Sequence, residues 1–221
     1  MKLEVLRYPD PRLRKKGLSV TEVTDEHRSL VKNMIETMYD ENGIGLAAPQ
    51  VGESLRLLVI DTRPTDEDGN PTDEGLTELE KTVKQPLAIF NPEILVQKDL
   101  TTYEEGCLSV PGFFDTVERA LYVEVKGLDE NGKELLIKTD GLLAICLQHE
   151  MDHLEGKLFI DRLSFIKSNK IKNKIKKSGY PTPEEVVEER KKVRELRAER
   201  RAAGENTSAG KSPNGKEPKK K

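Results

Sequence analysis

An α+β fold is predicted by three observations. Short strand-like apolar runs cluster around a single long apolar helix, an Asn131-Gly132 pair marks a hairpin between two of them, and the helix is apolar nearly all round. The chain has 221 residues and a net charge of −3. That length holds one sizeable core, and no repeat or membrane-length apolar run interrupts it. The expected arrangement is mainly antiparallel sheet packed around a central helix, with a helical extension at the C-terminus.

The elements follow in order. A helix is expected near 25 to 40, where Leu30, Val31, Met34, Ile35 and Met38 make one stripe that ends before Gly43. Gly43-Ile44-Gly45, taken alone, is a flexible helix-to-strand turn. Strands are expected near 55 to 60, 88 to 96, 120 to 128 and 134 to 139, the last two flanking Asn131-Gly132. Arg63 to Pro86 is polar, acidic and rich in Pro, Gly and Thr, so it is expected to be an inserted surface loop, with a substrate lid as the alternative. From Gly141 to Leu154, apolar Leu142, Leu143, Ile145, Leu147, Met151 and Leu154 describe a buried helix. Leu163 to Lys177 and Pro183 to Ala203 are helix-compatible, and disorder is expected after Gly204. The domain expectation is a catalytic domain over 1–165, a basic helical extension over 166–203 and a disordered tail over 204–221.

His149-Glu150-Met151-Asp152-His153 gives that buried helix a chemistry. At ~3.6 residues per turn, His149 and His153 stand one above the other and can share one divalent cation. Glu150 lies ~100° round the helix, beside the metal but out of the ligand row, which suits a general base. A catalytic site of this kind keeps three protein ligands and one open position. The third ligand is open among His27, Cys107 and Cys146, the remaining histidine and the two cysteines. Cys146 and His153 would lie ~10 Å apart along the axis, too far for bonds of ~2.0 to 2.3 Å to one ion, so Cys146 fits better as a small apolar pocket residue. The longer zinc-protease pattern fails, because Phe159 stands where its third histidine belongs.

Three segments together identify a family. Gly43-Ile44-Gly45-Leu46-Ala47-Ala48-Pro49-Gln50, Glu104-Glu105-Gly106-Cys107-Leu108-Ser109-Val110-Pro111-Gly112 and Gln148-His149-Glu150-Met151-Asp152-His153-Leu154-Glu155-Gly156, in this order, resemble the signature motifs of the peptide deformylases. The resemblance covers roughly residues 1 to 165. It implies that Cys107, His149 and His153 bind one metal, commonly Fe(II), with Zn(II) or Ni(II) as substitutes. Ligand chemistry by itself favours zinc. The implied reaction is hydrolysis of the formyl group from the N-terminal methionine of a nascent chain, with Glu150 passing a proton from water to the leaving amine. Gln50 and the Leu108 backbone N–H match donors to the oxyanion that develops. Gly45 matches a contact to substrate main chain, and Ile44, Leu142, Ile145 and Cys146 match positions around the methionine pocket. Gly112-Phe113-Phe114-Asp115 departs from the charged or polar residues common there, so two phenylalanines could present an apolar rim.

Charge is uneven. Residues 162 to 221 carry 19 Lys/Arg against 8 Asp/Glu, a net +11, which leaves −14 for residues 1 to 161. A solvated tail or contact with ribosomal RNA phosphates both follow from such a run. The N-terminus lacks a signal-peptide core and the two cysteines do not suggest a pair, so a cytoplasmic enzyme with N-formylmethionyl nascent peptides as partners and no membrane is expected. The alternatives are a zinc-dependent peptidase, which leaves the Cys107 and Gln50 segments unexplained, and a non-catalytic ribosome-associated binding protein.

Overall fold

A computed structural model describes residues 1–202, with side chains up to residue 195. The tail expected over 204–221 lies outside the described residues. The chain divides into two compact units, Met1–Tyr180 and Pro181–Lys221.

In the first unit, five strands form one antiparallel sheet in the order β1-β2-β3-β4-β5. They are β1 (Gly45–Ala47), β2 (Leu57–Ile60), β3 (Leu87–Glu105), β4 (Asp115–Leu128) and β5 (Glu134–Asp140). The order explains the burial of β2. Its side chains alternate across the sheet, so Leu57 and Val59 join one core cluster while Leu58 and Ile60 join another. Helix α1 (Asp25–Asp40) covers the first cluster with Val31, Met34 and Met38, and α3 (Gly141–Leu154) covers the second with Leu143, Ala144 and Leu147. Each fully buried Leu, Ile or Met side chain stabilises this arrangement by about 1.5–3 kcal/mol.

Helix starts are set by side chains. Thr24 precedes α1, and its backbone N–H donates to His27 Nδ1 at 3.1 Å, while the His27 ring packs edge-on against Phe90. His27 is therefore a capping residue of α1. The hairpin between β4 and β5 turns at Asp129 to Lys133, where the Asp129 carboxylate accepts from the Asn131 and Lys133 N–H groups and Gly132 takes a φ of 74°.

Three expectations are corrected. β3 and β4 run well beyond 88–96 and 120–128, because residues 97 to 105 pair with 115 to 123 although most side chains of 97 to 105 stay in solvent. Two register irregularities lie earlier in the same pair of strands, between Phe90 and Glu93 and between Ile94 and Val96. The connection at 43–45 leads from α1 into a strand not expected there, because Gly45 to Ala47 pair with Leu58 to Ile60 at one edge of the sheet. Finally, the 63–86 segment is anchored. It contains α2 (Glu78–Lys81), whose Glu80 is 2% exposed and accepts from the Leu143 N–H of α3 at 2.9 Å and the Thr77 N–H at 2.8 Å. The carboxylate sits where a Cβ on Gly141 would stand, so that position needs glycine for space as well as for its φ of 63°.

Helix α4 (Phe165–Ser178) belongs to the first unit, which runs past the expected boundary at 165. Its Ile171 and Ile175 pack with Val110, Phe113, Val117 and Leu158 to Ile160. In the second unit α5 (Pro183–Ala202) buries none of its described side chains.

Candidate active site

Helix α3 and the connection from β3 to β4 bring the reactive groups together. The β3–β4 ladder closes at Glu105 and Asp115, so the chain between them is a loop, and Cys107 sits near its start. His149 and His153, one turn apart on α3, have ring centroids 5.1 Å apart. Cys107 Sγ lies 3.3 Å from His153 Nε2, and one ligand atom from each of Cys107, His149 and His153 lies within 4.8 Å of the others. These three could hold a metal ion. Cys146, on the same helix, is elsewhere: its thiol donates to the Ile44 carbonyl at 3.6 Å.

A layer of charge lies behind these side chains. Glu105 Oε2 lies 2.8 Å from His149 Nδ1, which leaves Nε2 as the ring atom facing the cysteine side. Arg119, 1% exposed at its side chain, clamps Glu105 through Nε at 2.7 Å and Nη2 at 2.9 Å, and reaches Asp152 through Nη1 at 2.6 Å. Arg162 approaches Asp152 from outside through Nε and Nη2, each at 2.6 Å. Burial disfavours the Glu105 anion, yet hydrogen bonds from Arg119 and His149 hold its carboxyl below the ordinary range. Gln148 fixes the helix to the sheet, accepting from the Ala120 N–H at 3.0 Å and donating to the Ala120 carbonyl at 2.8 Å.

The titrating groups are divided by environment. Burial opposes a charge on His149, but Cys107 and Glu105 beside it outweigh that and push its value well up. His153 is driven well down by burial and then by the His149 charge. Glu150 is pushed up to about 7, chiefly by burial, and its Oε2 is a buried oxygen without a protein partner among the described residues. A carboxyl of that kind accepts and releases a proton near neutrality.

Gln50 enters from the turn after β1. Its Oε1 accepts from the Ala47 N–H at 2.7 Å, which aims Nε2 at Ser109 Oγ, 3.2 Å away, and Cys107 Sγ, 3.6 Å away. Leu108 packs its side chain where a Cβ on Gly43 would stand, at 2.8 Å, so the glycine segment and the cysteine loop are in contact. A Cβ on Gly45 would meet the Glu150 carboxylate and lie 2.8 Å from Cys146 Sγ. Ile44 is half-exposed, Leu142 is half-buried, and Ile145 and Cys146 are buried. Leu142 and Cys146 share one face of α3, and Ile145 lies one turn before His149. Phe113 is not on a rim, being 8% exposed in the core with Ile171 and Ile175, whereas Phe114 stands over Gly106.

The sequence profile described as Polypeptide deformylase matches residues 2–169. The chain belongs to the polypeptide deformylase family. Among its relatives, the peptide deformylase of Alkalilimnicola ehrlichii is 45% identical over 175 residues, spanning 79% of this chain and 89% of the relative. That of Pseudoalteromonas translucida is 48% identical over 177 residues, spanning 80% and 96%. Among solved structures, the deformylase of Ehrlichia chaffeensis superposes with a TM-score of 0.70 at 40% identity, covering 82% of this chain and 99% of that one. The Synechococcus elongatus deformylase in complex with actinonin gives 0.65 at 40% identity, covering 81% and 87%. The chain is thus a deformylase in activity, a hydrolase that takes the N-formyl group from newly made polypeptides.

Several residues of this deformylase site escaped the sequence reading. Glu105 and Asp152 lie inside the quoted segments and could have been suspected as carboxylates flanking ligands. Ser109 lies inside one of those segments too, whereas Arg119 carries no sequence signal, since only burial and distant partners reveal it.

Proposed function

We propose that Cys107, His149 and His153 hold one Fe(II) ion, with Zn(II) or Ni(II) able to substitute, and that Glu150 moves the proton during hydrolysis of N-formylmethionyl peptides. One cysteine sulfur and two imidazoles whose ligand atoms lie within 4.8 Å of one another fit such an ion. When bound, the metal supplies Lewis acidity toward the formyl carbonyl and toward water.

The chain's own groups divide the rest. Glu150, enclosed beside the ligands and near neutrality in its proton affinity, takes a proton from the attacking water and delivers it to the amine nitrogen as the C–N bond breaks. Formate and a free N-terminus result. The Gln50 amide, held by Ala47, and the Leu108 N–H supply donors for the oxyanion. The outer edge of β1 offers backbone groups to an extended peptide, and the absence of a side chain on Gly45 keeps that approach open beside Glu150. Ile44, Leu142, Ile145 and Cys146 enclose the methionine side chain, an apolar surround suited to a flexible thioether.

The buried, unpartnered Glu150 oxygen is the observation that carries this reading. Glu150→Gln should lower kcat by about 10²–10⁴-fold while bound metal stays at the wild-type level; undiminished turnover refutes the proton-transfer role.

The charge asymmetry favours a partner for the C-terminal segment. A net +11 over residues 162 to 221 suits ribosomal RNA phosphates at the site where new chains emerge, in the cytoplasm. Among the described residues no helix is long and apolar enough to cross a membrane. Ribosome co-sedimentation at low and high salt, with and without residues 181–221, decides the matter: salt-insensitive binding unaffected by the deletion refutes it.

A further inference from the structure

The residues assigned to oxyanion stabilisation, Gln50 and Leu108, come from separate connections, and the structure shows what joins them. The Leu6 N–H donates to the Gln50 carbonyl at 2.7 Å, and two residues later the Tyr8 N–H donates to the Ser109 carbonyl at 2.9 Å. Ser109 Oγ in turn accepts from Gln50 Nε2 at 3.2 Å. Gln50 is 1% exposed and Ser109 is 0% exposed. The N-terminal segment is therefore a bracket whose two ends grip Gln50 and Ser109, the residue that follows Leu108. By itself it is an extended stretch of a few residues near the start of the chain, the kind of segment that frays unless it is tied down.

The tie comes from the other end of the first unit. The Tyr180 hydroxyl donates to the Tyr8 carbonyl at 2.5 Å, with the Ser109 carbonyl also in reach at 3.4 Å. Having one proton, it gives most of it to Tyr8, the bracket itself. The Tyr180 ring packs edge-on against Phe113 with centroids 6.2 Å apart, within the cluster that holds Ile171 and Ile175 of α4. Its anchorage is thus an apolar core, and burial pushes the phenol up to about 12, so it stays a donor through the working pH range. Gly179, with a positive φ of 74° that favours glycine, ends α4 immediately before it.

We infer that Tyr180 is a positioning residue for the deformylation site, a latch that holds the Leu6–Tyr8 bracket against Gln50 and the Cys107–Ser109 turn. The inference rests on the reading of Gln50 and Leu108 as oxyanion donors. It also gives residues past the 2–169 profile match a part in catalysis. Donors aimed at a developing charge help most when their geometry is fixed in advance, so a loosened bracket should cost turnover more than substrate affinity.

Tyr180→Phe in the full chain tests it, because the ring against Phe113 is kept and only the donor is lost. In the metal-loaded protein kcat on a formyl-methionyl tripeptide should fall about 5- to 20-fold with KM within about twofold, as expected for an interaction felt mainly in the transition state. In the same protein without metal, amide hydrogen exchange should quicken in peptides covering residues 6–10 and 107–112 and stay unchanged over 141–154. Unchanged exchange in the first two peptides overturns the latch, and so does quickened exchange with unchanged kcat. A rise in KM with kcat preserved overturns it as well. Gln50→Ala, assayed alongside, isolates the underlying reading: full activity in that variant removes the oxyanion role of Gln50, while the exchange data still decide whether Tyr180 holds the bracket.

Discussion

Helices α4 and α5 follow one another in the basic part of the chain and were read from sequence as one extension, but their places in the protein differ. α4 turns Ser168, Ile171 and Ile175 inward, onto Val110, Phe113 and the Leu158–Ile160 turn, so it forms the floor beneath the cysteine loop. α5 has Val187 and Val193 exposed and no buried described residue. Both are charged on most faces. What separates them is the spacing of two isoleucines four residues apart, which gives α4 a narrow stripe that α5 lacks. A helix rich in lysine can be part of a catalytic domain when a few apolar residues in register meet a complementary surface.

Truncating that stripe should have the largest effect. Ile171→Ala and Ile175→Ala should each destabilise the protein by roughly 2–5 kcal/mol, seen as a lower urea midpoint, because buried aliphatic groups leave both lost transfer energy and a cavity. A next effect is acid sensitivity. Asp161 is half-buried, a circumstance that raises its value, yet the Arg14 ion pair, the Leu158 N–H at 3.0 Å and Lys172 of α4 at 3.3 Å together hold it below 3.8. A folded value below the unfolded one means the contribution is complete above about pH 4 and is lost as pH falls through the folded value. Asp161→Asn should therefore flatten the fall of stability with acid in that window, as followed by urea midpoints at stepped pH. Removing residues 181–221 should leave the melting temperature within about 2 °C and kcat on a tripeptide unchanged, since no described residue there is buried. Least of all, Glu188→Ala on α5, which breaks an exposed pair with Lys192, should give no measurable change in melting temperature. A large effect in either of the last two experiments would erase the contrast between the helices.

The legibility of the fold follows the same logic. α1, α3 and the β4–β5 hairpin could be read because each joins a strong period to a stop signal: the Leu30 to Met38 stripe before Gly43, the apolar run after Gly141, the turn at Asn131-Gly132. The far half of β3 could not, because Gln97 to Glu104 form their strand by pairing with β4 and leave most of their side chains, Leu100 and Tyr103 included, in water. β1 was hidden because it is three residues long and opens on Gly45, whose missing side chain leaves room for Glu150 and Cys146. In the site, the His149–His153 pair and Glu150 were legible from residue type and helical spacing, and Cys107 and Gln50 only from the family segments. Arg119 was not. Its partners Glu105 and Asp152 stand 14 and 33 residues away, and an arginine in a strand looks solvent-facing until its 1% exposure is known. The role of Glu80 was masked similarly, since an acidic residue within a polar stretch gives no sign that it will cap a distant helix.

At the edge of the sheet, β1 is three residues long. So short a strand gives any incoming backbone too few hydrogen bonds to be held by pairing alone, and a second copy of this protein meeting it edge to edge would gain little. Its brevity is thus a guard against self-association, and it shifts selectivity onto whatever else a visiting chain brings. On the docking proposed above, a peptide that also fills a neighbouring pocket stays, and one that offers only backbone departs.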